Sequence, residues 1–349
     1  MASNSDIRLG IVGMQLGLWH AGAIAEIEGA SIVAVADNVP GKLPGPNITL
    51  REWADSLGAD AYTDGVEMIR NADINAVDLC VSPKWRLPLV EAAAERGLPV
   101  LLEKPWGTNM AHGRAIAEVI RTASLLHMVE FPLRYFPPII ELKNLLDNGP
   151  LGRPFVVNAE IVMGESPAKM PDHWMWDPDN GNGAINENTC HVFDTICYLL
   201  GTPVSLHAFG ASYHGAEPSL PDGAVANIRF ESGAVASVTG GSLGADILRT
   251  PTWLDVYTEK GQALVTGIDH MFDTLTWGTA ADQGEPKREH WPNPPLRTLI
   301  VRYAIEEFVN SIRTGKQPES DADAGLKALA LATAVNESVA TGEPVDLSW

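Results

Sequence analysis

Cysteine is scarce in this chain of 349 residues, and its three copies form no recognisable metal-binding or disulfide pattern. Cys80, Cys190 and Cys197 are odd in number, lack C-x-x-C spacing and stand among apolar neighbours, as small core residues do. This pattern excludes a small disulfide-stapled scaffold and is typical of a reducing compartment. We therefore expect a cytoplasmic protein.

Positive charge is also in short supply. Lys and Arg number 24 against 44 Asp and Glu, which gives a formal net charge of −20, and no run of basic residues interrupts this acidic excess. A surface that binds a polyanion needs clustered cations, so we expect no nucleic acid partner.

Long apolar runs are missing as well. No stretch of about 18 apolar residues, the length of a membrane-crossing helix, occurs in the sequence. The segment Met1–Asp6 has neither the basic start nor the apolar middle of a secretion signal. We expect a protein that is not exported and has no membrane partner.

The residues that are present can bury substantial cores. Hydrophobic residues make up 45% of the chain, and the 19% that are charged are too few for a disordered protein. A chain of this length usually exceeds one core, which favours two domains. We place the first domain at residues 1–130 and the second at 131–349, and leave open that a helix at 321–341 packs back toward the first.

The first part of the chain alternates short apolar strands with helical segments, which indicates parallel α/β winding. The stretch Val39–Pro46 is rich in proline and glycine and is expected to be a loop. The predicted strands are Ile7–Val12, Ser31–Ala36, Ala76–Val81, Pro99–Leu102 and Leu126–Glu130, and the predicted helices are Leu18–Glu28, Leu87–Arg96 and Asn109–Ala123.

Beyond Gly152 the apolar period changes to two, which predicts a mostly antiparallel sheet. Gly164–Asn182 and Asp282–Pro295 are irregular, and connections of that length are commonly functional. The predicted strands are Phe155–Met163, Val204–Tyr213, Ala224–Phe230, Ala234–Thr239, Trp253–Thr258 and Gln262–Val265, followed by helices Thr298–Arg313 and Asp321–Thr341.

A strand, a glycine-bearing turn, a helix and then an acid after the next strand form the arrangement that binds a dinucleotide. Gly13, Gly17 and Asp37 fill those roles, with Gln15 near the place of the usual middle glycine and Leu16 in the same turn. Asp37 favours NAD, because a carboxylate repels the 2′-phosphate of NADP. Lys42 in the following loop leaves NADP as an alternative.

Glu103-Lys104-Pro105 follows a predicted parallel strand, where open α/β sheets place their ligands. Lys104 is well placed there to touch a substrate, although most lysines are solvated surface residues. We include Ser82, Pro83, Glu103 and Lys104 among the expected cofactor-binding residues.

Together these segments resemble the Gfo/Idh/MocA oxidoreductases, a family named for glucose-fructose oxidoreductase and inositol dehydrogenase. The resemblance covers nearly the whole chain. It includes the Rossmann start, Val81–Pro83, Val100–Pro105, Arg134–Phe136, Gly149–Pro154, Gly181–Ala184 with His191 and Asp194, and Asp323–Leu329.

The resemblance implies an N-terminal Rossmann domain, a C-terminal domain on a large, open-faced, mostly antiparallel sheet, and hydride transfer between a nicotinamide and a sugar or cyclitol hydroxyl. Carried over residue by residue, it implies Lys104, Glu187 and His191 as catalytic residues. Glu187 stands where the family usually has Asp. The family often has His at Leu87, Asn at Pro132 and Gly at Thr189, so the site is altered.

Helical spacing supports a polar face at this segment independently of the family. Glu187, His191, Asp194 and Tyr198 follow an i, i+4, i+7, i+11 pattern, beside a separate apolar stripe. We predict that this face lines a cleft, with His191 as acid/base; for Asp194 and Tyr198 a solvated face remains the alternative.

Polar residues near His191 predict an unusual polyhydroxylated ligand. Asn186, Asn188 and Thr189 add hydrogen-bonding groups, and His173 with Trp174 lie in the long loop that precedes them. The expected substrate-binding residues are His173, Trp174, Asn188 and Asp194. No HExxH or cysteine pair supports a metal site, and none is predicted.

The leading hypothesis is an NAD-dependent dehydrogenase or reductase of a sugar or cyclitol, with NADP as the other cofactor. Redox-neutral glycosidase or lyase chemistry and a non-catalytic nucleotide-binding sensor remain alternatives. From the resemblance we also expect a homodimer or homotetramer, because an open sheet face is normally covered.

Overall fold

A computed structural model describes residues 6–38, 47–163, 173–215, 217, 219–243, 251–268, 271–282, 284–292 and 298–349. The expected loop Val39–Pro46, with Lys42, and much of Gly164–Asn182 lie outside these residues. The chain divides into two compact units. The first holds residues 1–106, 111–130 and 295–323, and the second holds 107–110, 131–294 and 324–349.

A parallel six-stranded sheet forms the first unit, in the order β3-β2-β1-β4-β5-β6. Its strands are β1 Ile7–Val12, β2 Ala30–Ala36, β3 Asp60–Tyr62, β4 Ala76–Leu79, β5 Val100–Leu102 and β6 His127–Val129. The helices between them are α1 Met14–Ile24, α2 Leu50–Leu57, α3 Gly65–Asn71, α4 Arg86–Arg96 and α5 Met110–Ala123. This strand order is that of a dinucleotide-binding Rossmann fold.

Helix α1 begins four residues earlier than predicted. Gly13 alone makes the turn, at φ 98°, so that Met14 already starts the helix. The Asp37 carboxylate accepts a hydrogen bond from the Met14 amide at 2.7 Å and satisfies one of the donors exposed at the helix N-terminus. A side chain distant in sequence therefore sets the boundary.

The elements between Asp37 and β4 were not predicted. Helix α2 begins at a capping box, in which Thr49 and Glu52 each accept from the other's backbone amide, and it ends at Gly58 in the left-handed region. Helix α3 begins where Asp64 accepts from the Glu67 amide. These short elements carry too few apolar residues for a clear period.

The second unit contains a nine-stranded sheet in the order β14-β13-β12-β11-β7-β10-β9-β8-β15. All of its neighbouring strands are antiparallel except β7 and β10. The strands are β7 Pro154–Val162, β8 Pro203–Ala211, β9 Gly223–Phe230, β10 Val235–Gly241, β11 Pro251–Thr258, β12 Gly261–Ile268, β13 Met271–Thr279, β14 Lys287–His290 and β15 Val345–Asp346. The two sheets confirm the predicted fold class.

The remaining helices are α6 Pro137–Asp147, α7 Gly183–Glu187, α8 Cys190–Leu200, α9 Thr298–Thr314 and α10 Ala322–Thr341. Helix α9 belongs to the first unit, where Arg302 pairs with Glu26 and Arg313 donates to the Glu28 carbonyl. Residues 295–323 thus cluster with the parallel sheet, whereas the sequence placed them in the second domain.

Strands β13, β14 and β15 were missed. In β13 the neighbours Thr274 and Leu275 are both buried, which breaks the period of two. Every residue of β14 is exposed, so the expected irregular stretch Asp282–Pro295 contains a polar edge strand held by backbone pairing. A strand of two residues, such as β15, has no period at all.

One face of the second sheet carries side chains that the described part of the chain leaves exposed. Alternate residues of β9, β10, β11 and β12 point there, including Val225, Val235, Tyr257 and Leu264, each more than a third exposed. The residues that alternate with them along these strands, such as Ile228 and Val256, point to the other face and are buried in the core.

None of the helices within the described ranges combines the length and apolar character that crossing a membrane requires.

Candidate cofactor and substrate sites

The turn from β1 to α1 is built around a glycine that no other residue can replace. A Cβ at position 13 would stand 2.2 Å from the carbonyl oxygen of Cys80, and φ is 98°. Because Gly13 has no side chain, β1, β4 and the start of α1 approach each other closely. The N-terminus of α1 consequently lies at the carboxyl end of β1, the place where a Rossmann sheet receives phosphates.

The other residues of the predicted turn lie in the first turn of α1. Gln15 is exposed and Leu16 is half-buried, so both are accessible at the helix N-terminus. Gly17 is buried, and a Cβ there would stand 2.9 Å from Ile11 and 3.1 Å from Trp53. Gly17 therefore permits close packing of the helix on the sheet, the role of the last glycine in a dinucleotide-binding fingerprint.

Asp37 follows β2 and is half-buried. Its Oδ2 atom accepts from the Met14 amide at 2.7 Å, which holds the carboxylate beside the start of α1. An acid at this point of a Rossmann sheet is placed to accept from ribose hydroxyls. Ser82, half-buried, and Pro83, buried, follow β4 at the same edge of the sheet.

Glu103 and Lys104 directly follow β5 and differ in exposure. Lys104 is half-buried, whereas Glu103 is 3% exposed. Glu103 Oε2 accepts from the Lys104 amide at 2.9 Å, and Oε1 lies 3.1 Å from His20 Nε2. Glu103 is therefore an internal anion below Lys104, which corrects its assignment as a cofactor ligand.

His20 of α1 stands at the centre of a buried cluster of charged side chains. Its ring nitrogens contact Asp78 at 2.8 Å and Glu103 at 3.1 Å, and all three residues are buried. Burial alone would lower the pKa of His20, but the charge and hydrogen bond of Asp78 raise it well above its usual value. His20 is thus an imidazolium between two carboxylates.

Glu130, which follows β6, is the second carboxyl group beside Glu103. It is 2% exposed, and its Oε1 has no hydrogen-bond partner within the described residues. Burial, and next the negative charge of Glu103, raise the pKa of Glu130 well above its usual value. Burial also acts on Glu103, but His20, Lys104 and Arg86 outweigh it and lower the pKa. Of the two, Glu103 is the anion and Glu130 holds a proton.

The second unit presents Glu187 and His191 on either side of a break between two helices. Glu187 ends α7 and His191 lies in the first turn of α8, and both are half-buried. The predicted continuous helix was wrong here. Thr189 is the N-cap residue of α8, but its side chain makes no capping bond. Asn188 Nδ2 donates to Ser242 Oγ at 2.8 Å, so the side chain at the break is held by a residue distant in sequence.

Asp194 faces the interior. It is 1% exposed, and its two carboxylate oxygens each accept from the Arg134 guanidinium at 2.6 Å. This bidentate pair corrects the assignment of Asp194 as a substrate ligand, since both oxygens already hold a buried cation. Asn188, 3% exposed, is likewise committed to Ser242.

His173 and Trp174 are half-buried and lie in the loop that precedes α7. The His173 Nδ1 atom accepts from the Met175 amide at 3.4 Å, which starts a short 3₁₀ turn over Trp174–Trp176. Their rings lie 5.2 Å apart. Trp176 and Met175 are buried beneath them, so His173 and Trp174 form the accessible side of this turn.

Among the residues that the structure describes, one group of side chains has ligand atoms close enough for a metal, namely His20, Asp78 and Cys80. Metal ligands must be deprotonated. The pKa of His20 is raised by Asp78, and burial raises the pKa of the Cys80 thiol far above its usual value, so both hold protons at neutral pH. Both ring nitrogens of His20 are engaged by Asp78 and Glu103, so we assign the group to the buried charge cluster.

Sequence reasoning missed the buried residues around Lys104. Arg86, the first residue of α4, is 0% exposed and donates to backbone carbonyls of the loops after β4 and β5. An arginine at the start of a helix belongs to no apolar repeat and to no motif, so the sequence alone does not single out Arg86. Glu130 follows an apolar strand and could have been found by that placement.

Two family models match the chain. The model described as "Oxidoreductase family, NAD-binding Rossmann fold" matches residues 7–131, and "GFO/IDH/MocA C-terminal domain" matches residues 139–264. Together they cover most of both units.

Curated relatives and solved structures agree with these matches. Myo-inositol 2-dehydrogenase of Thermotoga maritima is 25% identical over 98% of this chain and 98% of its own length. Inositol 2-dehydrogenase 4 of Saccharopolyspora erythraea is 32% identical over 68% of this chain and 67% of its own. A structure of levoglucosan dehydrogenase in complex with NADH has a TM-score of 0.87 at 21% identity, covering 98% of this chain and 99% of that one.

The raised pKa of Glu130 predicts how the stability of the protein depends on pH. Above about pH 4.5 the unfolded chain releases this proton while the folded protein keeps it, so the free energy of unfolding falls by up to about 1.4 kcal/mol per pH unit. The loss ends at the raised folded-state pKa. Glu130→Gln has no titrating group at this position. Chemical denaturation should therefore show that the free energy of unfolding of the variant, relative to that of the wild type, increases as pH rises.

The exposed Glu91→Gln serves as the control for this measurement. Its difference from the wild type should stay constant over the same pH range. Parallel curves for Glu130→Gln and the wild type would mean that Glu130 is ionised in the folded protein.

Proposed function

The chain belongs to the GFO/IDH/MocA family of oxidoreductases, and from that membership we propose that it oxidises a hydroxyl group of a cyclitol or sugar with NAD. The observation that carries the proposal is that Gly13, Asp37 and Lys104 follow three strands of one parallel sheet at their carboxyl ends. Two relatives are named inositol 2-dehydrogenases, so inositols are the first substrates to test.

The residues at these strand ends suit a dinucleotide. Gly13 lacks the side chain that would crowd the turn, and the start of α1 offers backbone amides, those of Gln15 and Leu16 among them, to the pyrophosphate. We assign Asp37 to the ribose hydroxyls and Ser82-Pro83 to the cofactor-facing loop after β4. NADP remains the alternative that a binding experiment must include.

The chemistry needs a group that takes a proton from the substrate hydroxyl. NAD, when bound, accepts the hydride that leaves the substrate carbon. We assign the proton transfer to His191, because imidazole titrates near neutral pH. The Lys104 ammonium stabilises the negative charge that develops on the substrate oxygen. Glu187, at the end of α7, orients His191 and the substrate.

His173 and Trp174 are the substrate-binding residues that we retain from the sequence. Both are half-buried on the accessible side of their turn. An indole ring packs well on the apolar face of a sugar or inositol, and an imidazole supplies a hydrogen bond at its edge. Asp194 and Asn188 are left out, because their polar atoms are held by Arg134 and Ser242.

We also propose that the protein is cytoplasmic. The supporting observation is that Cys80, Cys190 and Cys197 are all buried thiols and form no disulfide.

We further propose that a second copy of the chain covers the exposed face of the second sheet. Val225, Val235, Tyr257 and Leu264 lie on that face at 37–43% exposure. Register places Val235 beside Val156, and Val156 beside Tyr257, so these three apolar residues form a row across adjacent strands. Val225 lies beside Thr239 and Leu264 beside Asp255, outside that row. A continuous apolar row on a sheet is stabilised by pairing with an equivalent surface.

The proposed catalytic roles predict a loss of turnover without a loss of cofactor binding. Lys104→Met and His191→Asn should each lower kcat for NAD reduction with myo- or scyllo-inositol by about 100- to 10,000-fold. The affinity for NAD should stay within a few-fold. Nicotinamide absorbance measures turnover, and fluorescence titration measures binding.

The exposed Lys316→Met is the control and should leave both quantities unchanged. Wild-type binding of NAD with no net NADH on any inositol or sugar would instead favour the redox-neutral or sensor alternatives. Variants with wild-type turnover would contradict the assignment of Lys104 and His191.

Asp37 should determine the choice between NAD and NADP. Asp37→Asn keeps an oxygen that accepts from the Met14 amide but removes the charge, so it should preserve the turn and relieve repulsion of a 2′-phosphate. We expect the ratio of NADP to NAD affinity to rise about tenfold, the effect of removing about 1.4 kcal/mol of repulsion. Calorimetric titration with both cofactors measures it, and an unchanged ratio would place the ribose contact elsewhere.

The exposed sheet face predicts an oligomer that a charge can disrupt. The wild type should scatter light as a dimer or tetramer at micromolar concentration, and Val235→Lys should shift it toward the monomer. Ile140→Lys is the matched control, because Ile140 is 51% exposed on α6, away from that face. A monomeric wild type would rule the second copy out.

A further inference from the structure

Arg86 is a fully buried arginine whose guanidinium donates to backbone carbonyls around the Lys104 turn. Its guanidinium donates to Val81 O at 3.0 Å, to Lys104 O at 3.1 Å and, by a short contact, to Pro105 O. The residue is 0% exposed. A single side chain therefore joins the loop after β4 to the loop after β5.

Burying a guanidinium is costly unless its donors and its charge are satisfied. Here the carbonyls accept from the two terminal nitrogens of the guanidinium, and Glu103, whose pKa is lowered in part by Arg86, supplies a nearby negative charge. An apolar residue would fill the same space at lower cost. The cation therefore lies where it holds backbone carbonyls of two loops.

We propose that Arg86 is a positioning residue for Lys104. By holding the carbonyls of Lys104 and Pro105, it fixes the backbone from which the Lys104 side chain leaves the sheet. The inference rests on the proposed role of Lys104 as the group that contacts the substrate oxygen. A displacement of about 1 Å at such a group can cost about 100-fold in rate.

Lysine cannot take over this role. The guanidinium is a planar fork whose separate N–H groups reach several carbonyls at once, whereas an ammonium is a single point of charge on a flexible stem. Arg86→Lys keeps the charge and loses the fork, so it tests positioning and not charge.

Arg96, at the other end of α4, provides a control with the same kind of backbone contacts at an exposed position. Its guanidinium also donates to three backbone carbonyls, those of Ile69, Ala72 and Ile74, with distances of 2.5, 3.0 and 3.2 Å. These carbonyls lie around the end of α3 and the start of β4, away from Lys104. Arg96→Lys removes the same kind of contacts without touching the Lys104 turn.

The first measurement is the reactivity of the Lys104 amine in the cofactor-free protein. Lys104 is half-buried, and its charge acts on Glu103 and Glu130. Trace labelling with acetic anhydride, read by mass spectrometry, should modify it slowly in the wild type and several-fold faster in Arg86→Lys. Arg96→Lys should match the wild type. Equal labelling in all three proteins would overturn the proposal.

The second measurement is a double-mutant cycle on NAD reduction with myo-inositol. Arg86→Lys should lower kcat about 10- to 100-fold with NAD affinity within a few-fold, and Arg96→Lys should change kcat less than twofold. In a Lys104→Met background, Arg86→Lys should have almost no further effect on the residual rate. An equal effect in both backgrounds would show a general structural role and overturn the inference.

The failures of the two proposals are distinguishable. A Lys104→Met variant as active as the wild type overturns the proposed function and the positioning role with it. An inactive Lys104→Met with a fully active Arg86→Lys overturns only the positioning role. If Arg86→Lys does not fold, Arg86→Gln replaces it, because its planar amide keeps two N–H donors and buries no charge.

Discussion

The contact on which the first unit depends is the hydrogen-bonded bridge from His20 to two buried carboxylates. His20 lies on α1, Asp78 on β4 and Glu103 just after β5, so one imidazolium joins three elements of the Rossmann fold. Each carboxylate would be unstable alone in that interior, and so would the cation. Because the opposite charges stabilise one another, these contacts hold α1 in a fixed position relative to the Lys104 turn.

That bridge also decides which neighbouring groups carry charge. With Glu103 held as an anion, a second carboxylate beside it is unfavourable, and Glu130 keeps its proton. Lys104 then faces one buried anion and one neutral acid, while Arg86 adds a fixed cation beneath its backbone. The electrostatic surroundings of Lys104 are therefore set by residues that never reach the surface of the site.

Much of the fold could be predicted from the sequence, because it follows from the spacing of apolar residues and from the residues that end helices and strands. The alternation of apolar strands and helices gave the parallel sheet, and the placement of Glu103-Lys104-Pro105 after a strand located Lys104 at a carboxyl end. Contacts between residues distant in sequence could not be predicted. Arg134 with Asp194, and Arg86 with the carbonyls of Lys104 and Pro105, depend on which elements meet, and no local pattern encodes that.

Contacts that the sequence could not predict also affect the expectation about the substrate. Asn186, Asn188 and Thr189 favoured an unusual polyhydroxylated ligand, but Asn186 donates to the Gly107 and Gly181 carbonyls and Asn188 to Ser242. Thr189, 1% exposed, packs on Gly240, where a Cβ would stand 2.3 Å from its methyl group.

Asn188 and Thr189 lie at the break between α7 and α8, and their buried side chains contact other parts of the chain. That break separates Glu187 from His191, the two half-buried side chains to which we assign catalytic roles. The proposed site therefore offers a ligand Glu187, His191, His173 and Trp174, whose side chains remain accessible in part.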